Sequence, residues 1–184
     1  MTNTLSRVFS RPLAGLGLVL ALSAGLPLAG AETLLLQHPL TGFEKAIANG
    51  CDKSLVAAPD RGGQALHLAV VTKPTEGWMS HVFIYGLDSG IVTGDKVVVT
   101  FWVRTVSGGE NGQGALKVEL GQKEKPFTSV IAKFVMPTEQ WTKHTIEGVA
   151  AFDLAADKAR FGICAGYREQ VVEIADIEVK NLGH

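Results

Sequence analysis

Gly94-Asp95-Lys96-Val97-Val98-Val99-Thr100-Phe101-Trp102-Val103-Arg104-Thr105 is the stretch whose reading decides the fold class. A Gly-Asp turn opens it, and β-branched and aromatic residues, which pack well on a pleated surface, fill most of the rest. Side chains alternate across a strand, so Val97, Val99, Phe101 and Val103 share one uniformly apolar face that suits a core. Val98, Thr100, Trp102 and Arg104 share the other, which mixes a ring, a hydroxyl and a cation and suits a half-exposed surface. The end of the chain repeats the signal. Phe161-Gly162-Ile163-Cys164-Ala165-Gly166 leads through a polar turn into Val171-Val172-Glu173-Ile174-Ala175-Asp176-Ile177-Glu178-Val179.

Outward from these blocks, turn signals recur at Asn49-Gly50, Pro59 to Gly63, Pro74 to Gly77, Asp88-Ser89-Gly90 and Ser107-Gly108-Gly109. Between them lie strand candidates at residues 65–72, 78–85, 96–105, 114–120, 129–135, 142–149, 160–165 and 171–181. Short strands at this spacing predict an all-β protein, an antiparallel β-sandwich. Helix is confined to one turn within residues 41–48 and a short Ala-rich segment at 154–158.

The first 31 residues read differently. Arg7 and Arg11 precede an uncharged apolar run from Leu13 to Leu22, and Leu28-Ala29-Gly30-Ala31 supplies small residues for cleavage. This is the pattern of a secretory signal peptide, so residues 32–184 are expected as one exported domain, periplasmic or secreted. An uncleaved anchor is the competing reading; Pro27 and the Ala-Gly-Ala end favour cleavage. The formal net charge is −1 for the whole chain. No basic stripe exists for a phosphate backbone, which argues against nucleic acid as a partner. No second apolar run is long enough to cross a bilayer. Cys51 and Cys164 are the only cysteines. In an oxidising compartment an even pair is a disulfide candidate; two separate buried thiols are the alternative.

Several pieces, in order, resemble the galactose-binding-like jelly rolls of carbohydrate-binding module families 4, 9 and 22, as found beside glycoside hydrolases. They are Gly42-Phe43-Glu44, Gly63 to Leu68, Gly77-Trp78 through His81-Val82, Gly94-Asp95, Phe101 to Arg104 and Pro137 to Thr142. Gly166, Gln170, Val172 to Asp176 and Asn181-Leu182-Gly183 complete the series. The resemblance implies a jelly roll that binds a polysaccharide or oligosaccharide, with aromatic platforms for the sugar rings and planar polar groups for the hydroxyls.

On that reading Trp78, His81, Trp102, Arg104, Glu119, Gln122 and Tyr167 are the candidate ligand-binding residues. Each has a bland counterpart. Trp78 is a groove residue or a core tryptophan, and Trp102 is a platform or a ring packed under a loop with Arg104 along it. Tyr167 is a ligand contact or part of a solvated hairpin between the last two strands. Trp141 reads as structural. The resemblance also implies a structural calcium, with Glu44 and Asp176 at positions that supply ligands in related jelly rolls; their oxygens suit that ion.

Catalytic motifs are lacking. His38, His67, His81, His144 and His184 have no metal-ligand spacing, and there is no Gly-x-Ser-x-Gly. Gly112-Gln113-Gly114 opens no helix and is not a nucleotide loop. A non-catalytic sugar-binding module is therefore the leading expectation. A small jelly-roll lyase or hydrolase, with His81, Tyr85 and Arg104 cast as its centre, is a second. An envelope domain with a protein partner is the third, since fold does not fix function.

Overall fold

The computed structural model describes residues 32–184; residues 1–31, on which a signal peptide is expected, lie outside them. Eleven strands follow one another: β1 (Thr33–Leu36), β2 (Ala48–Asn49), β3 (Asp52–Ala58), β4 (Gly63–Val70), β5 (His81–Tyr85), β6 (Lys96–Gly108), β7 (Leu116–Gln122), β8 (Ser129–Val135), β9 (Thr142–Val149), β10 (Ala159–Cys164) and β11 (Gln170–Asn181). A short helix α1 (Pro39–Lys45) joins β1 to β2. One sheet runs β3-β4-β11-β6-β9, with β1 added beside the far half of β11; the other runs β2-β5-β10-β7-β8. All pairs are antiparallel. The expected β-sandwich is what the chain forms.

The alternation in β6 is realised as read: Val97, Val99, Phe101 and Val103 are all buried. They meet Leu66 and Leu68 of β4, Val172 and Ile174 of β11, and Leu116, Val118, Leu120, Phe161 and Ile163 from the opposite sheet in one continuous core. Each fully buried side chain of this size contributes roughly 1.5–3 kcal/mol. Phe43 of α1 is fully buried, its ring 5.8 Å from that of Phe161.

Four departures from the sequence reading have local causes. β1, β2 and β3 were not expected, because they are short or mostly exposed and lack clean apolar alternation. The strand expected from residue 78 starts at His81, since Gly77–Met79 forms a 3-10 turn. The helical turn begins at Pro39, whose fixed φ suits the first helical position. Finally, β10 and β11 do not form a hairpin. They are the central strands of different sheets, so the connection bearing Tyr167 crosses one end of the sandwich.

The Gly94-Asp95 turn has a second task. Asp95 is buried, and its Oδ2 accepts from Val92 N–H (2.9 Å) and Asn181 Nδ2 (2.6 Å), while Oδ1 lies 3.2 Å from His184 Nδ1. The carboxylate thus ties the start of β6 to the end of β11. Burial opposes its charged form, but these hydrogen bonds and the charge of His184 outweigh burial and hold it below the usual carboxylate range. A depressed folded-state pKa gives stability that is fully present above the unfolded value, about 3.9, and is lost as pH falls through the folded value. Thermal melts are therefore expected to show Tm falling below about pH 4, with a shallower acid-side slope in Asp95→Asn. An unchanged slope in that variant would contradict the assignment.

Candidate functional site

The outer face of the β2-β5-β10-β7-β8 sheet carries a cleft of about 640 Å³. Register builds it in rows. His81, Cys164, Lys117 and Phe134 form the first, Phe83, Gly162, Glu119 and Ala132 the second, and Tyr85, Arg160, Gly121 and Ser129 the third. On β5 the sequence His-Val-Phe-Ile-Tyr alternates, so His81, Phe83 and Tyr85 all line the cleft while Val82 joins the core. Phe83 is 5% exposed and forms part of the floor. Its ring lies on Gly162, where a Cβ would come within 2.3 Å of Phe83 Cδ1, so only glycine permits that approach.

The rim is aromatic and open. Trp78 is 56% exposed, Tyr85 63% and Phe127 45%. At one end Tyr167 lies against Gly77, where an added Cβ would again clash at 2.3 Å, and it meets Phe134 edge-on at 4.7 Å. Burial, and then neighbouring negative charge, pushes the Tyr167 phenol up to about 12, so it is a neutral donor across the working pH range.

Between these rings sits a polar centre. Glu119 is 7% exposed and bonds both Lys117 Nζ (Oε1, 2.6 Å) and the Arg160 guanidinium (Oε2, 3.1 Å). Arg160 in turn stacks over Phe83 at 4.4 Å and Phe127 at 5.3 Å. His81 Nδ1 is 2.8 Å from the Trp78 carbonyl, which can only accept, so Nδ1 is the donor and Nε2 remains for other partners.

Of the residues expected to bind, Trp78, His81, Glu119 and Tyr167 come together here. Gln122 stands just outside: its Oε1 accepts from Thr128 N–H at 3.2 Å and closes the loop that presents Phe127. Trp102 and Arg104 are on the wrong sheet for this cleft. Both lie on the outer face of the six-stranded sheet, where Arg61 stacks 4.1 Å over Trp102 and Arg104 stacks 4.9 Å over Trp141. Arg104 is also paired with Glu173 at 2.7 Å, and Glu173 with His67 at 3.2 Å. Trp102 is half-buried, and Arg61 rather than Arg104 lies over its ring. The same separation dissolves the His81, Tyr85 and Arg104 trio.

The cysteines are both free thiols. Cys51 packs against the core with Sγ 3.8 Å from the His81 carbonyl oxygen, whereas Cys164 lines the cleft beside His81. Burial pushes the thiols up to about 11 and about 12 respectively, which keeps them protonated. The disulfide is thus absent from this structure. Glu44 lies on α1 and Asp176 on β11. The Glu44 backbone carbonyl accepts from Lys53 Nζ, while Asp176 sits in a left-handed bulge (φ 50°) near Gly62. Among the described residues no three His, Cys, Asp or Glu gather as a metal-holding group.

Phe83, Phe127, Lys117, Lys123 and Arg160 also line the site and were not singled out from sequence. Only the first was legible, through the alternation of residues 81–85 with Gly162 ready to receive a ring.

A jelly-roll β-sandwich with a cleft on the outer face of one sheet is the class these features define. No protein-family model and no curated protein matches the chain. Solved structures do. A carbohydrate-binding module of family 4 is similar at TM-score 0.56 and 15% identity, over 80% of this chain and 84% of that one. The N-terminal cellulose-binding domain of Cellulomonas fimi β-1,4-glucanase C is similar at TM-score 0.55 and 16% identity, over 74% and 88%. A cyclase from Fischerella sp. TAU, solved with an indolyl butanone, is similar at TM-score 0.51 and 13% identity, over 74% of each chain. These likenesses show the jelly-roll β-sandwich fold. The cyclase shows that one sandwich hosts unrelated chemistries.

Proposed function

We propose that this protein is an exported, non-catalytic carbohydrate-binding module that holds a polysaccharide or oligosaccharide in the cleft of the five-stranded sheet. The observation that carries the reading is the pairing of open aromatic faces at Trp78, Tyr85 and Phe127 with a nearly dry polar centre at Lys117, Glu119 and Arg160. Sugar rings present apolar C–H faces to aromatic rings and hydroxyl edges to planar polar groups. The volume lies within the range of small-molecule clefts, about 300–1,000 Å³. Fold likeness to sugar-binding modules supports the same direction.

A microarray of neutral and acidic plant and microbial polysaccharides tests it. Binding to at least one polymer, with no new reducing ends and no unsaturated product, is the expected outcome. Signal on none would overturn the reading in favour of a protein partner, and turnover would replace it with an enzyme.

A further inference from the structure

The cleft's charge does not match that of the rest of the chain. Acids and bases nearly cancel overall, at a formal net charge of −1. Lys117, Lys123 and Arg160 nevertheless line the cleft against one carboxylate, Glu119. Glu119 faces two of these cations at once and neutralises one charge between them. Lys123 has no carboxylate partner among the described residues. The neighbouring Glu124 lies 3.7 Å from Lys158 instead. The excess is about two positive charges facing the space between the aromatic rings.

Arg160 is also pre-set. Its guanidinium is stacked on two phenylalanine faces and its side chain is only 18% exposed, so its orientation is fixed before any ligand arrives. A guanidinium has five N–H donors, and one nitrogen, Nη2, makes the bond to Glu119. Nε and the other terminal nitrogen have no partner among the described residues. Planar, unspent donors on a partly desolvated cation match the two oxygens of a carboxylate.

From this we infer that the ligand is an anionic glycan, and that a uronate carboxylate of its chain is received by Arg160 with Lys123 and Lys117 beside it. This rests on the cleft being a sugar site. It adds a substrate class, carboxylated sugars, that a neutral cellulose- or xylan-type groove would not select.

Isothermal titration calorimetry of the protein with polygalacturonate, alginate and hyaluronan tests the inference. Each polymer is compared with its carboxyl-reduced, neutral form, and β-glucan and arabinoxylan serve as neutral references. At least one acidic polymer is expected to bind at least tenfold more tightly than its reduced form, with affinity falling as salt rises. Arg160→Gln and Lys123→Ala are each expected to weaken it, Arg160→Gln by at least tenfold. Lys143→Ala, on the other sheet, should change nothing. Lys123 lies outside the stacked cluster, so its variant keeps the test open if Arg160→Gln unfolds. Binding that survives carboxyl reduction, or goes to the neutral polymers alone, would overturn the anionic class and leave the sugar site standing. Equal loss in Lys143→Ala would reduce the effect to diffuse attraction and sink it. Binding to none of the polymers, neutral or acidic, would remove the sugar site and this inference together.

Discussion

Trp78→Ala is expected to weaken glycan binding by about 2 kcal/mol, roughly thirty-fold, while leaving the melting temperature where it was. The reason lies in how the tryptophan is held. Its ring is more than half exposed on the cleft rim, so truncation removes a platform without opening a core cavity. The bond that orients His81 runs to the Trp78 backbone carbonyl and survives the substitution. Trp102→Ala should behave in the opposite way. Its ring is covered by Arg61 on the far sheet, so removal costs packing and leaves the cleft intact. Paired calorimetry and thermal melts separate the two. Lost binding in Trp102→Ala with normal binding in Trp78→Ala would move the site to the six-stranded sheet and overturn its placement here.

Those two tryptophans also show what a sequence can and cannot carry. The face split of residues 96–105 follows from a period of two, and the buried set came out as read because alternation is a local property of the strand. Which outer face holds the ligand is not local. Trp102 and Trp78 look equally suitable in sequence, and what separates them is that Trp102 is on β6 of one sheet while Trp78 is in the turn leading into β5 of the other. Tyr167 illustrates the same limit. Read as a hairpin tip, it would be solvated; because its segment crosses between sheets, it is brought over Gly77 into the cleft.

The charged centre was hidden for a related reason. Lys117, Glu119 and Arg160 sit on β7 and β10, separated by some forty residues in the chain, and meet only through register. Each alone is an ordinary surface residue on an alternating strand. Phe83 was the accessible clue, since a five-residue strand with three outward rings at positions 81, 83 and 85 is more aromatic than a solvated face requires. The cysteines depended on geometry from the start, because their pairing turns on side-chain direction that spacing does not encode.

Gln170→Met is the variant expected to cost the most stability, at least about 3 kcal/mol, with Tm lowered by about 6–12 °C. Gln170 is 2% exposed, and its amide is fully engaged. Nε2 donates to the carbonyls of Ala115 and Ala165, both at 2.6 Å, and Oε1 accepts from Ala115 N–H at 2.7 Å. These backbone groups lie just before β7 and just after β10, and both residues are buried. One side chain therefore satisfies three polar groups at the end of the sandwich where the chain changes sheets. Methionine keeps the volume and removes the hydrogen bonds, so its cost isolates unsatisfied polar groups, each about 1–3 kcal/mol, from any cavity. The segment between Ala165 and Gln170 carries Tyr167, so glycan affinity should fall in the same variant even where it is fully folded. Circular dichroism melts and titration at a temperature well below Tm measure the two effects separately. A Met variant that melts like the parent would show that the amide fills space and does not pin the crossing; the link between sheet connection and cleft would then have to rest on Gly77 alone.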